Sequence, residues 1–168
     1  MKLDGLTVLD LSLFLPGPAA TQLMADHGAR VIKVENPHAP EPTRSAEAFP
    51  WQQGGETVMF RNTQRGKESI ALDLKTDAGK RALIALAKQV DVVVEAFRPG
   101  VAKRLGIDYE TLSAEHPGLV YCRSLPSGKP GHGVTNPPTI PRPSPPPAFS
   151  MSRDHQRETQ VPRLSACR

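Results

Sequence analysis

Short apolar segments alternate with amphipathic segments through the first 122 residues, and this alternation most constrains the fold. The apolar segments are rich in leucine and β-branched residues, as is typical of buried strands. They occupy residues 7–11, 30–35, 69–74, 91–97 and 118–122. Strands that are apolar throughout and alternate with helices favour a mainly parallel sheet. We therefore predict an α/β, Rossmann-like fold with helices on both faces of the sheet.

The segments between these strands are predicted mainly as helices. The first begins at Pro16-Gly17-Pro18 and ends near Gly28, and the second begins near Thr76. Two short helical pieces begin near residues 101 and 108. Residues 37–55 are rich in Pro, Glu and Ala, and we interpret them as an excursion away from the sheet.

Charge and proline content divide the chain after Cys122. Residues 1–122 contain 14 Lys and Arg against 15 Asp and Glu, a balance that gives no attraction to nucleic acid. Residues 123–168 contain 7 Lys and Arg against 2 Asp and Glu, together with 10 of the 18 prolines. This tail has no helical or alternating periodicity and too little apolar surface to offset the entropy of ordering. We predict a folded domain over residues 1–122 and a disordered Pro-rich tail over residues 123–168.

Three strand-to-helix junctions are candidates for ligand binding, because ligands of open parallel sheets bind beyond the carboxyl ends of the strands. Lysine and arginine beside an aromatic ring suit a nucleotide with several phosphates. Taken one at a time, the junctions also fit structural corners and solvated charges. The first contains Leu15 and Pro16, the second Leu72, Asp73, Leu74 and Lys75, and the third Ala96, Phe97 and Arg98, followed one turn later by Arg104.

Five segments in a fixed order carry a likeness that spans nearly all of residues 3–122. They read LDGLTVLDLS, PGPAATQLMADHGARVIKVENP, RGKESIALDLKTDAG, QVDVVVEAFRPG and RLGIDYETLSAEHPGLVYC. Together they resemble the amino-terminal part of the family III CoA transferases of the CaiB/BaiF type. That group includes formyl-CoA transferase, carnitine CoA-transferase and alpha-methylacyl-CoA racemase.

The resemblance implies a CoA-binding domain of an enzyme that moves CoA between carboxylic acids. Acyl-CoA would be the substrate, with no permanently bound cofactor and no metal, and the CoA contacts would fall on the ten residues of the three junctions. The family commonly has Asn at the position of Ala96 and often a basic residue at the position of Asn36, so fewer polar contacts with CoA are expected. An acyl-CoA racemase is the alternative within the family.

The resemblance also implies that the catalytic residue is missing. Family members are much longer, and covalent transfer depends on an aspartate that follows the matching region. Asp154 is the only Asp of the tail, and its surroundings, SMSRDHQRE, do not resemble the family's segment. We assign no catalytic residue and expect a truncated, inactive form that retains part of the CoA site. A homodimer is expected for the full-length family and is doubtful for this chain.

Two other functional classes can be compared with the same residues. A non-catalytic nucleotide-binding module with a basic Pro-rich interaction tail fits the same residues. A dinucleotide-dependent oxidoreductase does not, because no G-x-G-x-x-G follows the first strand. The sequence contains neither a bilayer-length apolar run nor a signal-peptide segment, so we predict a cytoplasmic protein without membrane or nucleic-acid partners.

We hypothesise a frameshift near Cys122, which would explain the composition of the tail. Codons compatible with residues 127–141, read two nucleotides out of phase, permit GQTGPWRDQPAYDP. The family usually continues there with a glycine-rich phrase of the kind S-x-F-G-Q-x-G-P.

We expect sequencing of the gene and of its messenger RNA across codon 122 to show the remainder of a transferase in another frame. An unbroken frame in both nucleic acids, with no transferase sequence in the other two frames, would contradict the frameshift.

Overall fold

The computed structural model describes residues 1–45 and 49–124. These residues form a five-stranded sheet, a two-stranded hairpin, a 3-10 turn at Pro42–Arg44 and five helices. The strands are β1 Thr7–Asp10, β2 Arg30–Glu35, β3 Gln52–Gln53, β4 Glu56–Thr57, β5 Lys67–Ala71, β6 Val92–Glu95 and β7 Val120–Arg123. The helices are α1 Pro16–Asp26, α2 Val58–Gln64, α3 Asp77–Ala87, α4 Val101–Leu105 and α5 Tyr109–Glu115.

The large sheet is parallel throughout, with the strand order β5-β2-β1-β6-β7. From β1 the chain moves outward through β2 to β5, and α3 then carries it back across the sheet to β6 on the other side of β1. This order and the helices on both faces confirm the predicted α/β, Rossmann-like fold.

Successive residues of each strand face opposite sides, so the sheet has two cores. On the first face, strand residues pack with α3, α4 and α5 around the fully buried Leu9, Leu83, Val93, Ile107 and Leu112. On the second face, Val8, Val31 and Val94 pack with Ala29 and with Met24 and Ala25 of α1. The apolar runs of the sequence are therefore buried on both sides, as expected for a parallel sheet.

Two segments differ from the prediction. The third strand of the large sheet ends at Ala71 rather than Leu74, because residues 72–76 form a turn that caps α3: Thr76 Oγ1 accepts the Gly79 N–H and donates to the Asp73 carbonyl. The seven-residue helix α2 was not predicted. Residues 37–55 do leave the large sheet, and their last residues begin the short hairpin β3–β4, which ends at Thr57.

The predicted disordered tail lies outside the described residues, apart from Arg123 and Ser124. In the part of the chain that the structure describes, no helix has the length and apolar character needed to cross a bilayer.

An ion pair attaches the excursion to the sheet. Arg44 donates from Nη2 to Glu35 Oε1 at 2.8 Å and from Nε to Glu35 Oε2 at 3.1 Å, and its guanidinium lies 3.9 Å from the Phe60 ring centroid. Burial by itself would raise the pKa of Glu35, but hydrogen bonds from Arg44 and from the Glu41 amide outweigh it and lower that pKa to about 2. Glu35 thus remains ionised and holds residues 41–44 against the end of β2.

We expect Glu35→Gln to lower the free energy of unfolding strongly at pH 7 and by about half as much at pH 3. The lowered pKa means that the carboxylate stabilises the fold fully above its ordinary pKa of 4.5 and loses this contribution as the pH falls towards about 2. Urea unfolding at both pH values measures the difference.

Glu68→Gln is the control, because Glu68 also pairs with an arginine, Arg30, at 2.8 Å but is exposed. It should change the unfolding free energy little at either pH. An equal effect of Glu35→Gln at pH 7 and pH 3 would contradict the role assigned to its ionised form.

Candidate functional site

The candidate site lies at the carboxyl edge of the large sheet, near the junction of β1 and β6. The chain leaves β1 towards β2 and leaves β6 towards β7, so the two connections diverge on either side of this junction. Ligands of open α/β sheets bind at such a switch point. Each of the three predicted junctions follows a strand of this sheet, namely β1, β5 or β6, and because the strands are parallel all three lie at the same edge.

The junction after β1 is an exposed apolar loop that packs closely against the start of α1. Leu13, Phe14 and Leu15 are 37%, 52% and 50% exposed, and Pro16 is the first residue of α1. A Cβ atom at Gly17 would overlap the side chain of Ser12, so the close approach of the helix to the loop requires glycine. Phe14 has a φ of 66°, a left-handed conformation that is rare for residues other than glycine.

Buried charges lie beneath this loop, on the second face of the sheet. Lys67 of β5 donates to Asp10 Oδ2 of β1 at 3.0 Å, to Thr21 Oγ1 at 2.8 Å and to the Pro18 carbonyl at 2.9 Å. Lys33 of β2 donates to the Ser12 carbonyl and pairs with Glu41 at 3.1 Å. The four charged side chains, Asp10, Lys33, Glu41 and Lys67, are at most 3% exposed.

Burial and pairing shift the pKa values of Asp10 and Lys67. Burial would raise the pKa of Asp10, yet the charges of Lys33 and Lys67 and the hydroxyls of Ser12 and Thr21 hold it below its ordinary value. Burial lowers the pKa of Lys67, and the opposite charge of Asp10 opposes that shift. Asp10 and Lys67 therefore act as a structural ion pair that joins the end of β1 to the start of β5.

The junction after β5 is a turn stabilised by its own polar groups. The Asp73 carboxylate accepts the Lys75 N–H at 3.0 Å, and a Cβ atom at Gly79 would overlap the Asp73 carbonyl. Leu72 and Leu74 are half-buried and pack against the core of the first face. The Lys75 side chain is exposed.

The junction after β6 is held by the buried carboxylate of Glu95. Glu95 is fully buried; it accepts the Phe97 N–H at 2.5 Å and the Arg123 Nε–H of β7 at 2.5 Å. Phe97 packs against the core, whereas Arg98 is exposed. Arg104 is exposed in the last turn of the five-residue helix α4, which follows this junction.

The structure brings these junctions to one edge but does not place them side by side. Three strand spacings separate β5 from β6, or about 14 Å. A compact ligand would reach one junction, whereas an extended ligand would reach all three. Within residues 1–45 and 49–124, Lys75, Arg98 and Arg104 form no salt bridge, so each is available to an anionic ligand.

The residues that hold the junctions in place were not among the predicted site residues. Lys33 and Glu35 had a detectable signal, because charged residues that alternate with valine and isoleucine in RVIKVE are unusual in a buried strand. Glu41 and the left-handed Phe14 had none, since their contact joins positions 27 residues apart.

Comparison with known proteins identifies the family. Residues 3–137 match the CoA-transferase family III. An acetyl-CoA:oxalate CoA-transferase of Acetobacter aceti is 40% identical over 128 residues, which are 76% of this chain and 32% of that protein. A succinate–glutarate CoA-transferase of Agrobacterium fabrum is 42% identical over 134 residues, 77% of this chain and 33% of the relative. The chain thus spans about a third of the length of the relatives it matches.

Solved structures agree with the sequence match. A CAIB/BAIF family protein from Brucella suis superposes with a TM-score of 0.66 at 40% identity, covering 72% of this chain and 32% of the other. A hypothetical protein from Mycobacterium tuberculosis superposes with a TM-score of 0.68 at 38% identity, covering 76% of this chain and 33% of the other. Together with the parallel sheet, these matches show that the chain belongs to the CoA-transferase family III.

Proposed function

We propose that this chain binds the CoA portion of an acyl-CoA along the carboxyl edge of its sheet, as part of a transferase that moves CoA between carboxylic acids. The observation that carries the proposal is the convergence of three junctions, from β1, β5 and β6, on one edge of the sheet. The segments that follow β5 and β6 also supply three cations that form no salt bridge within residues 1–45 and 49–124. Family membership supplies the class of ligand.

The chemistry of CoA fits this edge. CoA is long and carries several phosphates, so it needs cations at separated points rather than one compact pocket. Lys75 lies beyond β5 and Arg98 and Arg104 lie beyond β6, and the apolar Leu15 lies between them beyond β1. The contacts proposed for CoA are therefore Leu15, Pro16, Leu72, Asp73, Leu74, Lys75, Ala96, Phe97, Arg98 and Arg104.

We further propose that these 168 residues bind CoA without transferring it. Transfer in this family requires a carboxylate that attacks the thioester carbonyl and releases the CoA thiolate. Asp10 and Glu95 lie near the edge, but both are fully buried and hydrogen-bonded to cationic side chains, so neither is exposed for attack. Asp154, in the part of the chain outside the described residues, lacks the sequence surroundings of the family's catalytic aspartate.

Arg104→Ala is expected to weaken CoA binding about 10- to 100-fold, because a hydrogen bond to a charged group contributes about 1.5–3 kcal/mol. Isothermal titration calorimetry with CoA measures the affinity. Deletion of residues 125–168 should leave it unchanged, since no proposed contact lies there.

Arg30→Ala is the matched control, because Arg30 is an exposed arginine at the opposite, amino end of β2. It should bind CoA as the unmutated chain does. Equal losses for Arg30→Ala and Arg104→Ala would indicate a general effect of charge and contradict a site at the carboxyl edge.

The unmutated chain is expected to show no CoA transfer above the enzyme-free rate. Acetyl-CoA or succinyl-CoA would be incubated with oxalate or glutarate, and new thioesters would be detected by mass spectrometry. A rate that rises in proportion to protein concentration would show that the chain carries its own nucleophile and would reject the inactive assignment.

A further inference from the structure

We infer that Glu41 is a positioning residue, which holds the loop between β1 and α1 in the conformation that CoA binding requires; the inference rests on the function proposed above. Glu41 does not reach the ligand edge with its own side chain, because it is 1% exposed. It acts through the backbone of Phe14, whose N–H donates to Glu41 Oε1 at 2.9 Å.

The loop needs an external support because its backbone is strained. Phe14 has a φ of 66°, where the Cβ of an L-residue approaches its own carbonyl oxygen. The Phe14 side chain is 52% exposed and belongs to neither core cluster, so packing of the ring does not hold this conformation. Residues persist in such conformations only where several contacts from the surrounding structure hold them, and they cluster at ligand sites.

Glu41 is itself fixed by several donors. Lys33 Nζ donates to Glu41 Oε2 at 3.1 Å, and Thr43 Oγ1 donates to Oε1 at 3.2 Å. Lys33 also donates to the carbonyl of Ser12, two residues before Phe14. Lys33 and Glu41 therefore hold the loop at two points, one at a carbonyl and one at an N–H.

The position of the loop matters because Leu15 and Pro16 follow directly. Phe14 sets the direction in which the chain enters α1, and thereby places the first junction of the candidate site. If the loop populates its bound conformation for only a tenth of the time, the apparent affinity falls tenfold. A change at Glu41 would thus reduce affinity without removing any ligand contact.

Glu41→Gln tests the inference. An amide cannot accept from Lys33 and from Phe14 as a carboxylate does, so the loop should be released. We expect the Phe14 amide to exchange its hydrogen at least about tenfold faster, measured by NMR, and CoA to bind about tenfold more weakly, measured by calorimetry.

Val31→Ala controls for loss of stability. Val31 is 1% exposed in the core cluster of the second face, which includes no residue of the loop. It should lower the melting temperature while leaving both the Phe14 exchange rate and the CoA affinity unchanged. If Val31→Ala changes both quantities as much as Glu41→Gln does, Glu41 has only a structural role and the inference is overturned.

The Phe14→Gly substitution distinguishes an effect of Glu41 on the loop conformation from the loss of a direct contact with CoA. Glycine adopts a positive φ without strain, so the loop should depend less on Glu41 in a Phe14→Gly background. The tenfold loss caused by Glu41→Gln is expected to shrink to about threefold or less in that background. An undiminished loss there, or unchanged affinity in the Glu41→Gln variant alone, would overturn the inference.

The two proposals fail in different ways. If the unmutated chain does not bind CoA, the proposed function is wrong, and the Phe14 exchange rates then decide by themselves whether Glu41 positions the loop. If CoA binds but Phe14 exchanges at the same rate with and without Glu41→Gln, the proposed function stands and the role of Glu41 is rejected.

Discussion

The carboxyl edge of the sheet depends on the buried ion pair between Asp10 and Lys67. Lys67 extends from β5 past the intervening strand β2 to reach Asp10 on β1, and the same ammonium group donates to the Pro18 carbonyl and to Thr21 of α1. One side chain therefore ties two strands and a helix together. Removing one partner of a buried pair is costly, about 3–5 kcal/mol, because the other charge is left without compensation. Such a network tolerates few alternative arrangements of the strand ends.

On the second face of the sheet, apolar and charged side chains occupy different halves. Its amino-terminal half is apolar, with Val8 and Val31 against α1. Its carboxyl-terminal half carries two ammonium groups and two carboxylates, from Lys33, Lys67, Asp10 and Glu41, which balance in charge. An apolar core of the same shape would pack as well, but it would offer no acceptor for the Phe14 N–H and no donor for the Ser12 carbonyl. The charges are placed where the loops need hydrogen-bonding partners.

The sequence predicted the strands of the large sheet and the location of the three junctions, because both depend on local patterns. Continuous apolar runs identify buried strands, and Pro and Gly mark the corners after them. The helix α2 and the hairpin β3–β4 escaped prediction, since the apolar residues of the segment 52–64 are the three consecutive residues 58–60, which give no helical or alternating repeat. The contact between Glu41 and Phe14 was not predicted for another reason. It joins positions 27 residues apart, and no local sequence pattern indicates which buried carboxylate contacts which loop.

The cations at this edge fall into two groups with different roles. Lys33, Lys67 and Arg123 are paired with carboxylates and fix the backbone, whereas Lys75, Arg98 and Arg104 form no salt bridge within the described residues. The groups that hold the three junctions, Glu41, Asp73 and Glu95, all lie between residues 41 and 95, and the partners that they hold lie within residues 12–123. The edge is thus shaped by contacts internal to the described chain. A part of the family fold that keeps these contacts can therefore keep the geometry of this edge.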